Sequence, residues 1–150
     1  MSTVPVGLDA SEVRAFVSFL RAHAAVTRRL DRELVAEHGL TINDYEVLLR
    51  LARAPDRMMR RVDLAQQVLL TPSGITRLLD GLQRCGFVEK AACDSDARVV
   101  YAKLTDDGVE KLERASRSHF ASIRATFCEH LTEQELDTLR ELLARLDPES

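Results

Sequence analysis

Thr71-Pro72-Ser73-Gly74-Ile75-Thr76-Arg77 is the stretch of this 150-residue chain whose residue types best suit recognition chemistry. Thr is a good helix cap, and Pro at the first helical position gives up no hydrogen bond that a helix needs. Ser73, Thr76 and Arg77 then fall in the first two turns. There, short hydroxyls reach base edges or phosphates, and an arginine can fork onto O6 and N7 of guanine. Gly74 leaves room for close backbone approach, and a helix N-terminus brings N–H groups that suit a phosphate. Ile75, Leu78, Leu79 and Leu82 share the opposite side, which turns Ser73, Thr76, Arg77, Asp80 and Arg84 outward. Against this stands a plainer reading: a capped surface helix with two solvated arginines.

A second cluster follows. Phe87–Ala91 and Val99–Leu104 read as strands joined by the polar tip Cys93-Asp94-Ser95-Asp96-Ala97-Arg98. On a hairpin next to a DNA-reading helix, Arg98 is placed to enter a narrow minor groove, where negative potential attracts a guanidinium. Asp96 precedes it by two residues, close enough to hold its direction, and Asp94 and Asp96 together penalise indiscriminate phosphate contact. Lys90 and Lys103 read as near-tip residues on opposite strands, suited to backbone contacts. Arg61, closing the basic run Arg57-Met58-Met59-Arg60-Arg61, joins the candidate set.

These residues need a frame. Apolar residues at helical spacing predict a long helix from about Ser11, its expected cap, to His38, with Gly39 as the stop. Thr41 and Asp44 predict the start of a second helix through Tyr45, Val47, Leu48 and Leu51, ending before Pro55. The basic run 57–61 reads as a loop, and Val62–Val68 as a short third helix. After the hairpin, Thr105 caps another long helix. Thr132-Glu133-Gln134-Glu135 is a capping box before Leu136, Leu139, Leu142, Leu143 and Leu146. Short helix, tight turn, second helix and hairpin form the layout of a winged helix-turn-helix.

The expected architecture is therefore mainly α with a small β-hairpin wing, in one domain over residues 1–150. The DNA-binding part is expected over about 41–105, between long helices over about 11–38 and 105–147. The leucine stripe 136/139/143/146 is more than a chain of this length covers alone.

Composition narrows the classes. Hydrophobic residues at 45% and charged residues at 30% fit a folded soluble protein. The net charge of −3 divides unevenly: Arg53–Lys103 carries +3 and the remainder −6, so phosphate attraction is local. Cys85, Cys93 and Cys128 are sparse and odd in number, the start resembles no signal peptide, and no apolar run reaches membrane-spanning length. A cytoplasmic protein with no membrane partner is expected. The four histidines are scattered without zinc spacing, and no phosphate loop, nucleophile elbow or carboxylate pair occurs. The reading is thus not an enzyme, with no metal and no cofactor.

Residues 61–105 resemble the DNA-binding core of the MarR (multiple antibiotic resistance regulator) family. The resemblance is carried by Leu64-Ala65, Thr71-Pro72-Ser73 with Thr76-Arg77-Leu78, Gly86-Phe87-Val88, and Asp96-Ala97-Arg98 with Leu104-Thr105. Leu40-Thr41, Tyr45 and Val47-Leu48 are similar to the family's second helix. The resemblance implies a homodimer, with dimerisation helices over about 11–38 and 105–147, on a near-palindromic double-stranded operator, usually a repressor released by a small aromatic or phenolic effector. Arg21, His23, Tyr45 and His119 are the candidate effector contacts, although each also reads as a core or solvated residue. Peroxide-sensing and urate-sensing relatives resemble the chain less, since no cysteine precedes Cys85 and there is no Trp. Cys93 is read as exposed, and Cys85 and Cys128 as small apolar groups. The alternatives are a dimer of this fold regulated by cysteine oxidation, or an interaction module without operator binding.

Overall fold

The computed structural model describes residues 7–68, 70–93 and 96–147, with only the backbone of residues 93, 96 and 97. Among them the helices are α1 (Ala10–His38), α2 (Ile42–Arg53), α3 (Arg61–Gln67), α4 (Pro72–Arg84), α5 (Asp106–Thr126) and α6 (Glu133–Ala144). The strands are β1 (Met58–Arg60), β2 (Val88–Cys93) and β3 (Asp96–Leu104), and single 3-10 turns cover Pro55–Arg57 and Cys128–His130.

Local chemistry sets most of these limits. Thr41 accepts from the Asp44 N–H while the Asp44 carboxylate accepts from the Thr41 N–H, and Thr132 and Glu135 do the same for α6. α1 begins differently from the expectation at Ser11. Asp9 accepts from Glu12 N at 2.8 Å and Glu12 returns the bond at 2.9 Å, so the reciprocal cap sits two residues earlier. Gly39 and Gly86 end α1 and α4 at φ +67 and +81, where other residues are strained.

The chain divides into two compact units. One contains α1 up to Leu30 together with the segment from Ile123 onward; the other is Asp31–Ser122. In the second unit Val47, Leu48, Leu51 and Leu64 are fully buried, with Ile75, Leu79, Leu82, Val88, Ala102, Leu104, Leu112 and Ala115 packed around them. Each buried leucine there contributes about 2 kcal/mol relative to exposure. The first unit buries little: α6 has no buried residue, and Phe16, Leu20, Leu143 and Leu146 stay exposed.

The sheet holds three antiparallel strands in the order β1-β3-β2. The hairpin was expected, but β1 corrects the basic loop read over 57–61. Met58, Met59 and Arg60 pair with Lys103, Ala102 and Tyr101. Three residues are too few to show a period, and their partner strand lies far along the chain. Asp56 and Arg57 precede β1 with φ 55 and 57, a costly backbone for residues other than glycine, and the Arg57 guanidinium bonds Asp106 at 3.1 Å.

Candidate nucleic-acid interface

α3 and α4 pack as a helix-turn-helix, and α4 shows two sides. Ile75, Leu79 and Leu82 are buried, whereas Ser73, Arg77 and Arg84 are exposed and Asp80 is half-buried. The outward row 73, 77, 80, 84 follows helical spacing along one face. Asp80, Gln83 and Arg84 line a cleft with Lys90 of β2. Gln83 was not among the expected contacts, although its place three residues after Asp80 could have flagged it.

The first turn of α4 is already occupied by its own cap. Thr71 Oγ1 accepts from Gly74 N at 3.1 Å and lies 3.2 Å from Ser73 Oγ. Pro72 has no N–H, and Ile75 N donates to Thr71 O. Ser73 is thus the first-turn position left to offer a phosphate an N–H, which corrects the expectation of several. A Cβ on Gly74 would stand 3.1 Å from Thr71 Oγ1, so the absent side chain protects the cap as well as opening the backbone. Thr76 is half-buried and donates to Pro72 O at 3.0 Å. Arg61, the first residue of α3, donates to Thr76 Oγ1 at 3.5 Å. The Arg61 bond thus braces α3 against α4, and the open side chains among the candidate residues of α4 are Ser73, Arg77 and Arg84. Nearby Arg60 is held by Asp63 through two bonds of 2.8 and 3.0 Å, which keep its guanidinium charged.

The wing is long and grades from core to solvent. Leu104 and Ala102 are buried and Val100 is 42% exposed on one side of β3 by strand alternation, and Arg98 is exposed beyond the register shift that follows Ala92. Arg98 thus stands beyond the core on β3, which pairs with β2, the strand packed on α4. The side chain of Asp96, its expected partner, lies outside the described residues, as do Asp94 and the side chain of Cys93. Lys90 and Lys103 correct the near-tip reading. Lys90 faces Ala102 and Lys103 faces Glu89, close to the root, because β3 runs nine residues and carries the tip further out. They also lie on opposite faces of the sheet, since paired positions share a face and successive positions alternate.

The four candidate effector residues separate. Tyr45 and His119 are buried with ring centroids 4.4 Å apart, and Tyr45 Oη shares a 2.9 Å hydrogen bond with Ser116 Oγ. His119 Nδ1 is buried without a hydrogen-bond partner. Burial lowers the His119 pKa, with Glu33 opposing. Arg21 and His23 are exposed on α1, in the other unit. Cys85 is exposed and Cys128 half-buried, so Cys85 is not the apolar filler it was read to be; it caps α4 beyond the buried row. Among the described residues no three metal-ligating side chains converge, and no helix is long and apolar enough to cross a membrane.

A family model described as the MarR family matches residues 38–99. The HTH-type transcriptional repressor YetL of Bacillus subtilis is 30% identical over 139 residues, which cover 93% of this chain and 82% of that protein. The chain belongs to the MarR family. MarR proteins are transcriptional regulators, not enzymes. Among solved structures, the MarR family regulator Sco3205 of Streptomyces coelicolor, determined in complex with DNA, superposes with a TM-score of 0.89 at 30% identity. That match covers 97% of this chain and 91% of Sco3205. AbsC, a MarR family regulator from the same organism, gives a TM-score of 0.86 at 29% identity, covering 93% of this chain and 94% of AbsC.

Proposed function

We propose that this MarR protein is a homodimeric repressor that reads a near-palindromic operator. In this reading α4 enters the major groove and the β2–β3 wing enters the minor groove. The observation that carries it is the exposed row Ser73–Arg77–Arg84 on a helix whose opposite side is buried and which packs on the hairpin that bears exposed Arg98. Sco3205 was solved with DNA and YetL is named a repressor, which supports the same reading here. Arg77 is assigned to base edges. Ser73, Arg84 and Lys90 are assigned to phosphates, and Arg98, oriented by Asp96, to the minor groove. Thr71, Pro72, Gly74, Thr76 and Arg61 shape the reading helix.

Two copies are required because one lobe reads only a half-site, and two-fold symmetry spaces the reading helices about one turn of DNA apart. The exposed apolar residues of α1 and α6 support that pairing. For release, the effector proposal narrows to Tyr45 and His119. A buried aromatic pair with an unpartnered Nδ1 suits a small aromatic acid or phenol.

The test begins with selection of bound sequences from random duplexes, repeated with a panel of aromatic acids. Arg98→Ala should lower affinity for the selected operator about tenfold or more with the oligomeric mass unchanged. Operator binding that is indifferent to Arg98→Ala sinks the wing assignment. Arg77→Ala should cost about 1–3 kcal/mol and relax preference at one position of each half-site. A uniform loss over all sequences would make Arg77 a phosphate contact instead.

A further inference from the structure

The exit of α4, the root of the wing and the start of α5 converge on Thr105. Its hydroxyl donates to Gly86 O at 2.6 Å and accepts from Gly108 N at 3.0 Å. Its backbone N–H donates to Phe87 O at 3.0 Å, and Phe87 N donates to Leu82 O in the last turns of α4, also at 3.0 Å. Val88 pairs with Leu104, so the same few residues form the base of the hairpin. Gly108 permits this closeness: a Cβ there would lie 2.2 Å from Phe87 O and 2.6 Å from Leu104 Cδ1. Lys111, one turn further along α5, places its ammonium 5.6 Å from the centre of the Phe87 ring.

We propose that Thr105 is a positioning residue for DNA reading, setting α4 and the wing on α5 through Gly86 and Phe87. The inference rests on the reading of α4 and the wing as the DNA interface. Leverage gives the joint its importance. Val100, where the regular register with β2 ends, lies four residues from Leu104, a reach of about 13 Å, and Arg98 lies beyond it. A tilt of about 10° at the root moves that end of the wing by about 2 Å, more than a hydrogen bond tolerates. The Thr105 hydroxyl has two separable roles. Accepting from Gly108 N caps α5 and serves stability. Donating to Gly86 O ties the α4 exit in place and serves positioning.

Three substitutions separate the roles. Thr105→Ser keeps both bonds. Thr105→Asp keeps the cap but has no donor for Gly86 O. Thr105→Val loses both. Operator affinity is measured by anisotropy on the full-length protein, with thermal melting alongside, and each variant is combined with Arg98→Ala. Ser should bind like the parent, and Asp should melt near the parent yet bind the operator about tenfold more weakly. In the Asp background Arg98→Ala should cost clearly less than in the parent, because the wing is already misplaced. Parental affinity in Thr105→Asp, or a full and additive Arg98→Ala cost there, overturns the proposal; the additive result would mean simple repulsion of phosphate by the new carboxylate. Weak binding by Thr105→Ser overturns it too. If Thr105→Val fails to fold, the Asp and Ser variants decide alone. Failure of the underlying interface reading has a different signature: neither Arg77→Ala nor Arg98→Ala would affect the parent protein.

Discussion

His119 carries a buried imidazole nitrogen with no hydrogen-bond partner, against the ring of Tyr45. Burial disfavours the charged ring and lowers its pKa from the ordinary 6.5, and the Glu33 carboxylate only partly offsets this. The folded protein therefore binds fewer protons than the unfolded chain as the pH drops below that value. This group's contribution to stability is complete above about pH 6.5 and is lost as the pH falls toward the lowered folded value. Thermal melts from pH 8 to pH 5 should fall on the acid side, and His119→Phe should flatten that fall. An equal fall in His119→Phe would assign the acid sensitivity to other groups. The residue types at this site were legible in the sequence, but their roles were not. Tyr45 was readable both as a core residue and as a ligand contact, and it is buried against His119, the pair proposed for the effector. Thr76 looked outward by spacing, yet its hydroxyl bonds Pro72 O one turn back, a local alternative that spacing does not reveal.

Among the elements, α4 starts on a single side-chain cap. Thr71 holds its first turn through the bond to Gly74 N, and Ser73 and Arg77 project from that turn and the next. Thr71→Ala should cost about 1 kcal/mol of stability by denaturant titration. It should also weaken operator binding while Thr71→Ser binds normally, because a frayed first turn no longer holds its side chains in one direction. Unchanged binding in Thr71→Ala would mean that DNA itself orders the turn. Helix starts marked by Thr41, Thr71, Thr105 and Thr132 were readable because capping is a contact within three or four residues. The start of α1 was misread because Ser11 is an acceptable cap by type, and the reciprocal Asp9–Glu12 pair outcompetes it. β1 was missed because its pairing with β3 is entirely non-local.

For the whole molecule, the two units differ in how much apolar surface they bury. Asp31–Ser122 has a packed core, whereas the unit holding both ends leaves Phe16 59%, Leu20 48% and Leu146 72% exposed. Such a surface is costly in water unless a second chain covers it. Phe16→Asp adds a charge where the single chain is already solvated, so its fold should persist while the proposed dimer is lost. Light scattering should then read one chain mass, with operator affinity falling steeply because two linked half-sites become one. A dimer mass for Phe16→Asp would remove α1 from the interface.

The sequence alone determined the order of helices and wing, the buried row of α4 and the charged residues opposite it. Apolar period, caps and turn residues act over only a few positions, and the family pattern at residues 61–105 lies within that range. Tertiary structure decided what distant residues do to one another. It added β1 to the sheet, set Lys90 and Lys103 at the wing's root and paired Tyr45 with His119. It also joined Gly86 to Thr105. These outcomes depend on strand register and helix packing between segments far apart in the chain, and no local periodicity records them.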